Sequence, residues 1–382
     1  MEKLFYGNHM RIGVLGGGQL GRMLIQSAIS YDARIEVMEN SDDAPSSSIA
    51  TQFVKGNITN YEDVLKFGAD KDVITVEIEN VNIEALEELE KKGVKVFPQP
   101  NVLKIIKDKG LQKKFYADHA IPTADFILVD SSQEAMEHVD FIPCFQKLRT
   151  GGYDGKGVQK ITSLEDLKNG FDEPTVLEKF IDFEKELSVI VARNENGDVT
   201  TYPLVECEFS PELNLVEFLF APADVSPELE VQAAELGKSI IEELGMVGLL
   251  AVELFLTKDG KLLVNEIAPR PHNSGHHTIE CNFTSQFEQH LRSITNQPLG
   301  NTEIILPGVM VNLLGAEHYE GNAVYKGMNK YMSKKGVYFH IYGKSTTKPH
   351  RKMGHVTIVN SSLGAAKELA REIKESVRVV SN

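Results

Sequence analysis

Apolar positions fall into short runs and helical stripes that alternate along the first hundred residues. Arg11-Ile-Gly-Val-Leu15 reads as a buried strand, followed by glycines and an amphipathic stripe through Leu20, Met23, Leu24 and Ala28. Arg34–Met38 and Asp72–Val76 are further strand signals, Ile83–Lys92 is a Glu-rich surface helix, and Val94–Phe97 closes the series. Strands alternating with helices predict an α/β chain with a doubly wound parallel sheet at its N-terminus. Phe97-Pro-Gln-Pro-Asn101 then punctuates the pattern, and one Lys-rich helix is expected over Val102–His119, with the first unit ending near residue 109.

From Ile121 the runs shorten. Strands are expected at Phe126–Val129, Pro143–Lys147, Val158–Ile161 and Thr175–Glu178, around one glycine-rich loop. A third region carries strands at Glu186–Arg193, Thr200–Glu208 and Gly248–Leu256, with a long helix over Pro227–Leu244. Beyond Pro298 strand signals recur near Val309–Leu313, Gly336–Ile341 and His355–Val359, before a final helix. The expected units are 1–109, 110–182 and 183–382, the last with a small β-rich part at its end.

Composition narrows the classes of function. With 40 Lys+Arg against 55 Asp+Glu, the net charge of −15 argues against nucleic acid or an anionic membrane as partner. An anionic small substrate held by a local cluster of cations is still compatible. Three cysteines without a CxxC pair offer no disulfide framework and no zinc-finger spacing, which fits a reducing, cytoplasmic setting. Met1–Met10 lacks the pattern of a secretory leader, and no run approaches the ~18 apolar residues of a membrane helix.

Five segments carry candidate chemistry. Gly16-Gly17-Gly18-Gln19-Leu20-Gly21 follows a strand and opens a helix, the context of an anion site for a pyrophosphate or a phosphate monoester, or of a tight turn. Lys147-Leu-Arg-Thr-Gly151-Gly-Tyr-Asp-Gly-Lys-Gly157 has four glycines in seven residues with cations nearby, which reads as a flap over phosphates or as a floppy surface loop. Gly248–Leu256 and Lys261–Glu266 flank Asp259-Gly260, a two-residue turn signal. In that register Lys258 faces Lys261 and Glu253 faces Glu266, two like charges opposed on one face. At ~5 Å and an effective dielectric near 20 their repulsion is about 3 kcal/mol, sensible if Mg²⁺ or Mn²⁺ lies between them. A bulge or slipped register would instead send one of them to solvent. Strict alternation points Asn265 to the opposite face. The loop Arg270-Pro-His272-Asn273-Ser-Gly-His276-His277 reads as polar and anion-binding, with Arg270 and Asn273 as donors, or less readily as a zinc site. The last segment, Lys344 to Arg351, is a basic cluster between strands, either an anion site or a solvated charge run.

Together these segments resemble the ATP-grasp superfamily. The strings Gly16–Met23, Arg149–Gly157 and Asn265–His276, with Tyr342–Ser345 and Arg351–His355, are similar to those of the 5-(carboxyamino)imidazole ribonucleotide synthases, ATP-dependent ligases that carboxylate a purine precursor. Lys107 stands where some relatives have Arg, and Met1–Met10 extends past the usual start. The resemblance implies a Rossmann-like leading domain, a lid domain and a C-terminal ATP-grasp domain in a cytoplasmic homodimer. It implies ATP contacts from Lys107, Lys147, the lid residues Gly152, Tyr153, Asp154, Gly155, Lys156 and Gly157, an adenine hinge over Glu178, Lys179, Phe180 and Ile181, and Glu186 on the ribose. It places Mg²⁺ on Glu253 and Glu266 with Asn265 nearby, and assigns the phosphate of aminoimidazole ribonucleotide to Gly17, Gly18, Gln19, Leu20, Asn273, Lys344 and Arg351. Bicarbonate would attack the γ-phosphate to give carboxyphosphate, and the substrate amine would then take up the carboxyl group. Asp154 would orient or deprotonate that amine, with Lys344 and Arg270 beside the reacting atoms. A formate-dependent transformylase of the same superfamily, a nicotinamide dehydrogenase and a nucleotide-sensing module are the competing readings.

Overall fold

Ile12, Val14, Ile35, Val37, Val73 and Ile74 have no room for solvent, because their strands are covered on both faces. That is the signature of a parallel sheet wound by helices. In the computed structural model, which describes residues 5–7, 9–152, 157–210 and 215–382, five parallel strands run in the order Gln52–Lys55, Arg34–Glu39, Arg11–Leu15, Val73–Val76, Lys95–Val96. Helices Gln19–Ile29, Tyr61–Gly68 and Ile83–Lys91 cover it.

The expected helix over Val102–His119 is instead two helices, Pro100–Lys107 and Lys109–Asp118. Asp108 between them is extended, at φ −113° and ψ 109°, and its carboxylate accepts hydrogen bonds from the backbone N–H of Gly110 and Leu111. An Asp that satisfies the first amides of a new helix restarts it in a new direction. The change of axis separates the courses of Lys107 and Lys109.

Phe126–Val129, Thr175–Lys179, Cys144–Leu148 and Val158–Ile161 form a four-stranded antiparallel sheet, with the glycine-rich loop joining the last two. A larger sheet of nine strands holds most of the rest, and Thr346–Thr347, Gly321–Lys326 and Arg378–Ser381 form a small antiparallel sheet of their own. Its path runs Leu262–Ala268, Gly248–Thr257, Phe183–Arg193, Val205–Phe209, Val216–Ala221, Gly308–Leu314, Lys352–Val359, Val337–Ile341, and Val199–Thr201 pairs beside Phe183–Arg193. The expected strand Thr200–Glu208 is thus two strands: Pro203, which has no N–H for a ladder, falls between them. The strand Val216–Ala221 was not expected; it joins the two halves of the sheet. Helix Gln286–Ile294 docks the sheet onto the leading domain, where Phe287, Leu291 and Ile294 share a core with Val14, Leu24, Ala28 and Tyr342. Among the described residues no helix is long and apolar enough to cross a membrane.

The acidic hairpin departs from its expected register twice. Its loop has three residues, not two: Thr257 N–H donates to Lys261 O at 2.9 Å, and Leu254 pairs with Val264. A bulge at Asn265 then adds one residue, so that Glu253 faces Glu266 as expected. The two shifts cancel at the carboxylates.

The three-residue loop depends on Gly260, which sits at φ +82° with open space where a Cβ would go. Gly260→Ala therefore meets backbone strain without a clash, and should lower unfolding stability by about 1–2 kcal/mol. A urea titration read by circular dichroism checks this, and an unchanged midpoint would refute the loop geometry.

Candidate active site

Two sheets and a helix converge on a charged pocket lined by Lys109, Gln112, Lys113, Lys147, Glu178, Asn265 and Glu266. Glu178, at the end of a lid-sheet strand, is 4% exposed and takes two cations: Lys113 Nζ at 2.8 Å and Lys147 Nζ at 2.9 Å. Burial alone would raise its pKa, but Lys147 and Lys113 outweigh it and hold the carboxyl below the ordinary range. Across the pocket Lys109 Nζ lies 2.5 Å from Glu266 Oε1. Three ammonium groups thus share two carboxylates, which leaves an excess of positive charge where a polyphosphate could sit.

The hairpin supplies the other half. The bulge breaks strict alternation, so Asn265 and Glu266 both line the pocket, and the expectation that Asn265 points away is corrected. Glu253 lies directly opposite Glu266, with His272 Nε2 at 3.6 Å. Burial, then the charges of Glu266 and Glu186, push the Glu253 pKa up to about 7. Glu266 is half open to the pocket, and Lys109 overcomes the cost of burial to keep its carboxyl below the ordinary range. Two opposed carboxylates beside an amide oxygen form the hard-oxygen donor set that Mg²⁺ or Mn²⁺ prefers.

The remaining nucleotide candidates divide. Lys107 does not enter the pocket: its ammonium donates to the Val81 carbonyl at 3.1 Å, and burial lowers its pKa. Lys109 and Lys113, which the motif reading passed over, take the place expected for it. The Asp108 cap was the signal for that, since it opens a new helix aimed at the hairpin. Arg149, read as a flap cation, forks onto Asp108 at 2.9 and 2.6 Å and anchors the root of the loop. Gly152 and Gly157 bracket that loop, while Tyr153, Asp154, Gly155 and Lys156 lie outside the described residues. In the hinge segment the Lys179 side chain turns away to the Phe141 carbonyl at 2.9 Å. Phe180 is exposed and stacks on Phe145 at 5.7 Å. An open cleft of about 400 Å³ lies beside them, lined by Phe183, Glu186, Cys207 and Phe209 among others. Burial there pushes Glu186 up to about 7.

A second constellation forms where the glycine loop meets the C-terminal basic segment. Lys344 Nζ donates to Gln19 Oε1 at 2.7 Å and to the Lys352 carbonyl at 2.6 Å, closing a contact 325 residues apart in sequence. Arg351, one residue before Lys352, puts its Nη1 on the carbonyl and hydroxyl of Thr346. The loop amides are not bare, however. Gly18 N–H donates to Glu77 Oε2 at 2.7 Å, Leu20 N–H to Glu77 Oε1 at 3.1 Å, and Gly17 N–H to Glu39 Oε2 at 3.2 Å. A Cβ on Gly18 would come within 2.4 Å of the Glu77 carboxylate, so the glycine there serves close approach of a side chain of this chain. Glu77, missed in the sequence, thus replaces phosphate on those amides. Arg270 Nε lies 2.9 Å from Glu79 Oε1. Among the described residues the buried Asn273 amide finds no hydrogen-bond partner on either atom, as expected of a group that waits for a ligand.

A lid sheet over a lysine-rich pocket, opposed by an acidic hairpin and preceded by a doubly wound domain, defines an ATP-grasp enzyme. Family comparison agrees along the chain: an ATP-grasp domain over residues 114–287, a ribonucleotide synthetase preATP-grasp domain over 9–107, and a phosphoribosylaminoimidazole carboxylase C-terminal domain over 308–369. The chain is 37% identical over 358 residues to the N5-carboxyaminoimidazole ribonucleotide synthase of Bacillus subtilis, covering 91% of each. The crystal structure of the synthetase from Thermotoga maritima superposes with a TM-score of 0.90 at 39% identity, over 98% of this chain and all of the other (100%). That of the Aspergillus clavatus synthase in complex with ADP and 5-aminoimidazole ribonucleotide matches at a TM-score of 0.87 and 31% identity, over 96% and 98%. The chain belongs to the N5-carboxyaminoimidazole ribonucleotide synthase family. It spans about two thirds or less of some longer relatives, such as phosphoribosylaminoimidazole carboxylases.

Glu186 gives a pH test. An acid whose folded pKa is raised stabilises the fold least at high pH: its contribution is intact below the unfolded value near 4.5 and is lost as pH climbs through about 7. Glu186→Gln should therefore gain about 1–2 kcal/mol at pH 8, after discounting for its partial exposure, and nothing at pH 4. Chemical denaturation at both pH values checks this, and an equal gain at each would refute it.

Proposed function

We propose that this chain uses ATP and bicarbonate to carboxylate the exocyclic amine of 5-aminoimidazole ribonucleotide, releasing ADP and phosphate. The observation that carries the reading is the pairing of two sites in one chain: a lysine-rich pocket facing the Glu253/Glu266 hairpin, and the Gln19–Lys344 junction between the leading domain and the C-terminal segment. A sensor of nucleotides would need only the first.

In this reading Lys109 and Lys147 hold the polyphosphate, and Lys113 keeps Glu178 neutralised when Lys147 turns to the nucleotide. Glu253 and Glu266 with the Asn265 amide oxygen would hold Mg²⁺ or Mn²⁺, which supplies charge neutralisation on the phosphates when bound. Transfer of the γ-phosphoryl group to bicarbonate needs alignment and charge neutralisation more than covalent catalysis, and three converging lysines provide both. Phe180 and Phe183 form apolar walls for a base, with Glu186 at the ribose. Lys344 and Arg351 take the phosphate of the ribonucleotide, and Gln19 holds Lys344 in place. Arg270 and Asn273 face the reacting carboxyl group, and Asp154 in the flap orients or deprotonates the amine. Flap closure then excludes water from an activated carboxyl species.

ADP release in the presence of ATP, aminoimidazole ribonucleotide and bicarbonate tests the reading. Turnover that required formate, or none at all, would overturn it. Glu253→Gln and Glu266→Gln should each fold normally and lose Mg²⁺-dependent turnover by at least about 100-fold; normal metal-dependent rates in both would remove the hairpin from the site. Arg351→Ala should raise the Michaelis constant for the ribonucleotide about 10- to 150-fold, the value of one charge-assisted hydrogen bond, and leave that for ATP unchanged. A defect confined to ATP would reassign Arg351 to the nucleotide.

A further inference from the structure

Three histidines that the reaction does not use form a stacked column, two of them buried and His340 half-buried at its end. His276 stacks on His355 with ring centroids 4.8 Å apart, and His355 stacks on His340 at 4.4 Å with an interplanar angle of 12°. His276 and His355 are fully buried, and burial pulls both pKa values far down, so the two are neutral rings. Burying two neutral imidazoles is costly unless their ring nitrogens find hydrogen-bond partners.

Each ring is held at its edge. The Gln286 side-chain amide donates to His276 Nδ1 at 3.1 Å and to the His272 carbonyl at 2.7 Å, while its carbonyl accepts from His272 N–H at 2.8 Å. Gln286 thus clamps the loop that carries Arg270 and Asn273. On the other side Tyr342 Oη and His355 Nδ1 share a hydrogen bond of 3.0 Å, and Glu280 pairs with His340 Nε2 at 2.7 Å. Tyr342 is fully buried, and the Lys344 ammonium sits 5.7 Å from its ring centroid. Between them Gly343 turns the chain at φ +80°, packed against the Arg22 guanidinium. His355 lies three residues beyond Lys352, whose carbonyl accepts from Lys344. A rigid path thus runs from Gln286 through His276, His355 and Tyr342 to Lys344, and across to Gln19 in the leading domain.

We propose that the His276–His355 stack and the Tyr342 hydroxyl bound to it are positioning residues, which hold the Lys344 ammonium in register with the Arg270–Asn273 loop and so set the affinity of the second-substrate site. This deepens the proposed function and rests on it only for the identity of the second substrate. The stack joins two segments of one sheet to a loop, so its loss shifts one segment against another without opening the nucleotide pocket.

Tyr342→Phe keeps the ring under Lys344 and removes only the hydroxyl. It should raise the Michaelis constant for aminoimidazole ribonucleotide about three- to tenfold, the range of one buried neutral hydrogen bond, with kcat and the constant for ATP unchanged. His355→Leu, which removes both stack and bond, should do more, and His355→Asn, which restores a polar atom near Nδ1, should recover part of the loss. Loss of melting temperature with equal effects on both substrates would reduce these residues to a structural role, and no effect in any variant would overturn the proposal. A readout without catalysis separates it from the functional reading: acetylation of lysines followed by mass spectrometry. In Tyr342→Phe, Lys344 should react several-fold faster while exposed Lys330 reacts as in the parent. An unchanged Lys344 rate refutes the positioning role even in a protein with no carboxylase activity, whereas a faster rate in such a protein would sustain it and leave only the substrate to be reassigned.

Discussion

Two carboxylates set opposite each other on adjacent strands repel, and much of the nucleotide site is an answer to that repulsion. Glu253 carries the cost as a raised pKa, while Glu266 is relieved by Lys109, which reaches it from a helix that starts only because Asp108 caps it. The same cap takes the Arg149 guanidinium, so the root of the flap and the cation opposite the hairpin are fixed by one aspartate. A protein that needed only stability would gain from a neutral residue at 253, where the carboxylate has burial and like charge against it. Retaining both keeps two carboxylates opposed on one face of the hairpin.

Local motifs gave the glycine loop its anion-binding look, and tertiary packing changed what that look means. Bare amides at a helix start attract negative charge wherever it comes from. Here it comes from Glu77, 59 residues downstream of Gly18. The loop therefore presents carboxylate oxygens near its tip, while positive charge for an anion comes from Lys344 across the junction.

The alternation of apolar runs and helical stripes was enough to read the doubly wound sheet, because buried parallel strands such as Arg11–Leu15 leave a continuous apolar signature. The pairing of Glu253 with Glu266 was also legible, although by two errors that offset each other: the turn is one residue longer than Asp-Gly suggests, and the bulge at Asn265 restores the count. Neither has a composition cue strong enough to read without the partner strand. The lysine pocket was only half visible. Lys147 sits in an obvious glycine-rich string, whereas Lys109 and Lys113 look like any charged helix face until the break at Asp108 sets their direction. Glu77 and the imidazole column were out of reach, since both depend on contacts between residues tens of positions apart.

The nine-stranded sheet has a consequence for how the molecule comes apart. Gly308–Leu314 is hydrogen-bonded along one side to Val216–Ala221 and along the other to Lys352–Val359. Peeling the C-terminal strands away would bare an apolar edge, with Phe218, Leu219 and Phe220 on the uncovered strand. Such an edge invites pairing with another chain. The part of the protein that carries Lys344 is therefore not a detachable module, and amide exchange in Gly308–Leu314 would track global unfolding and not a lesser fluctuation.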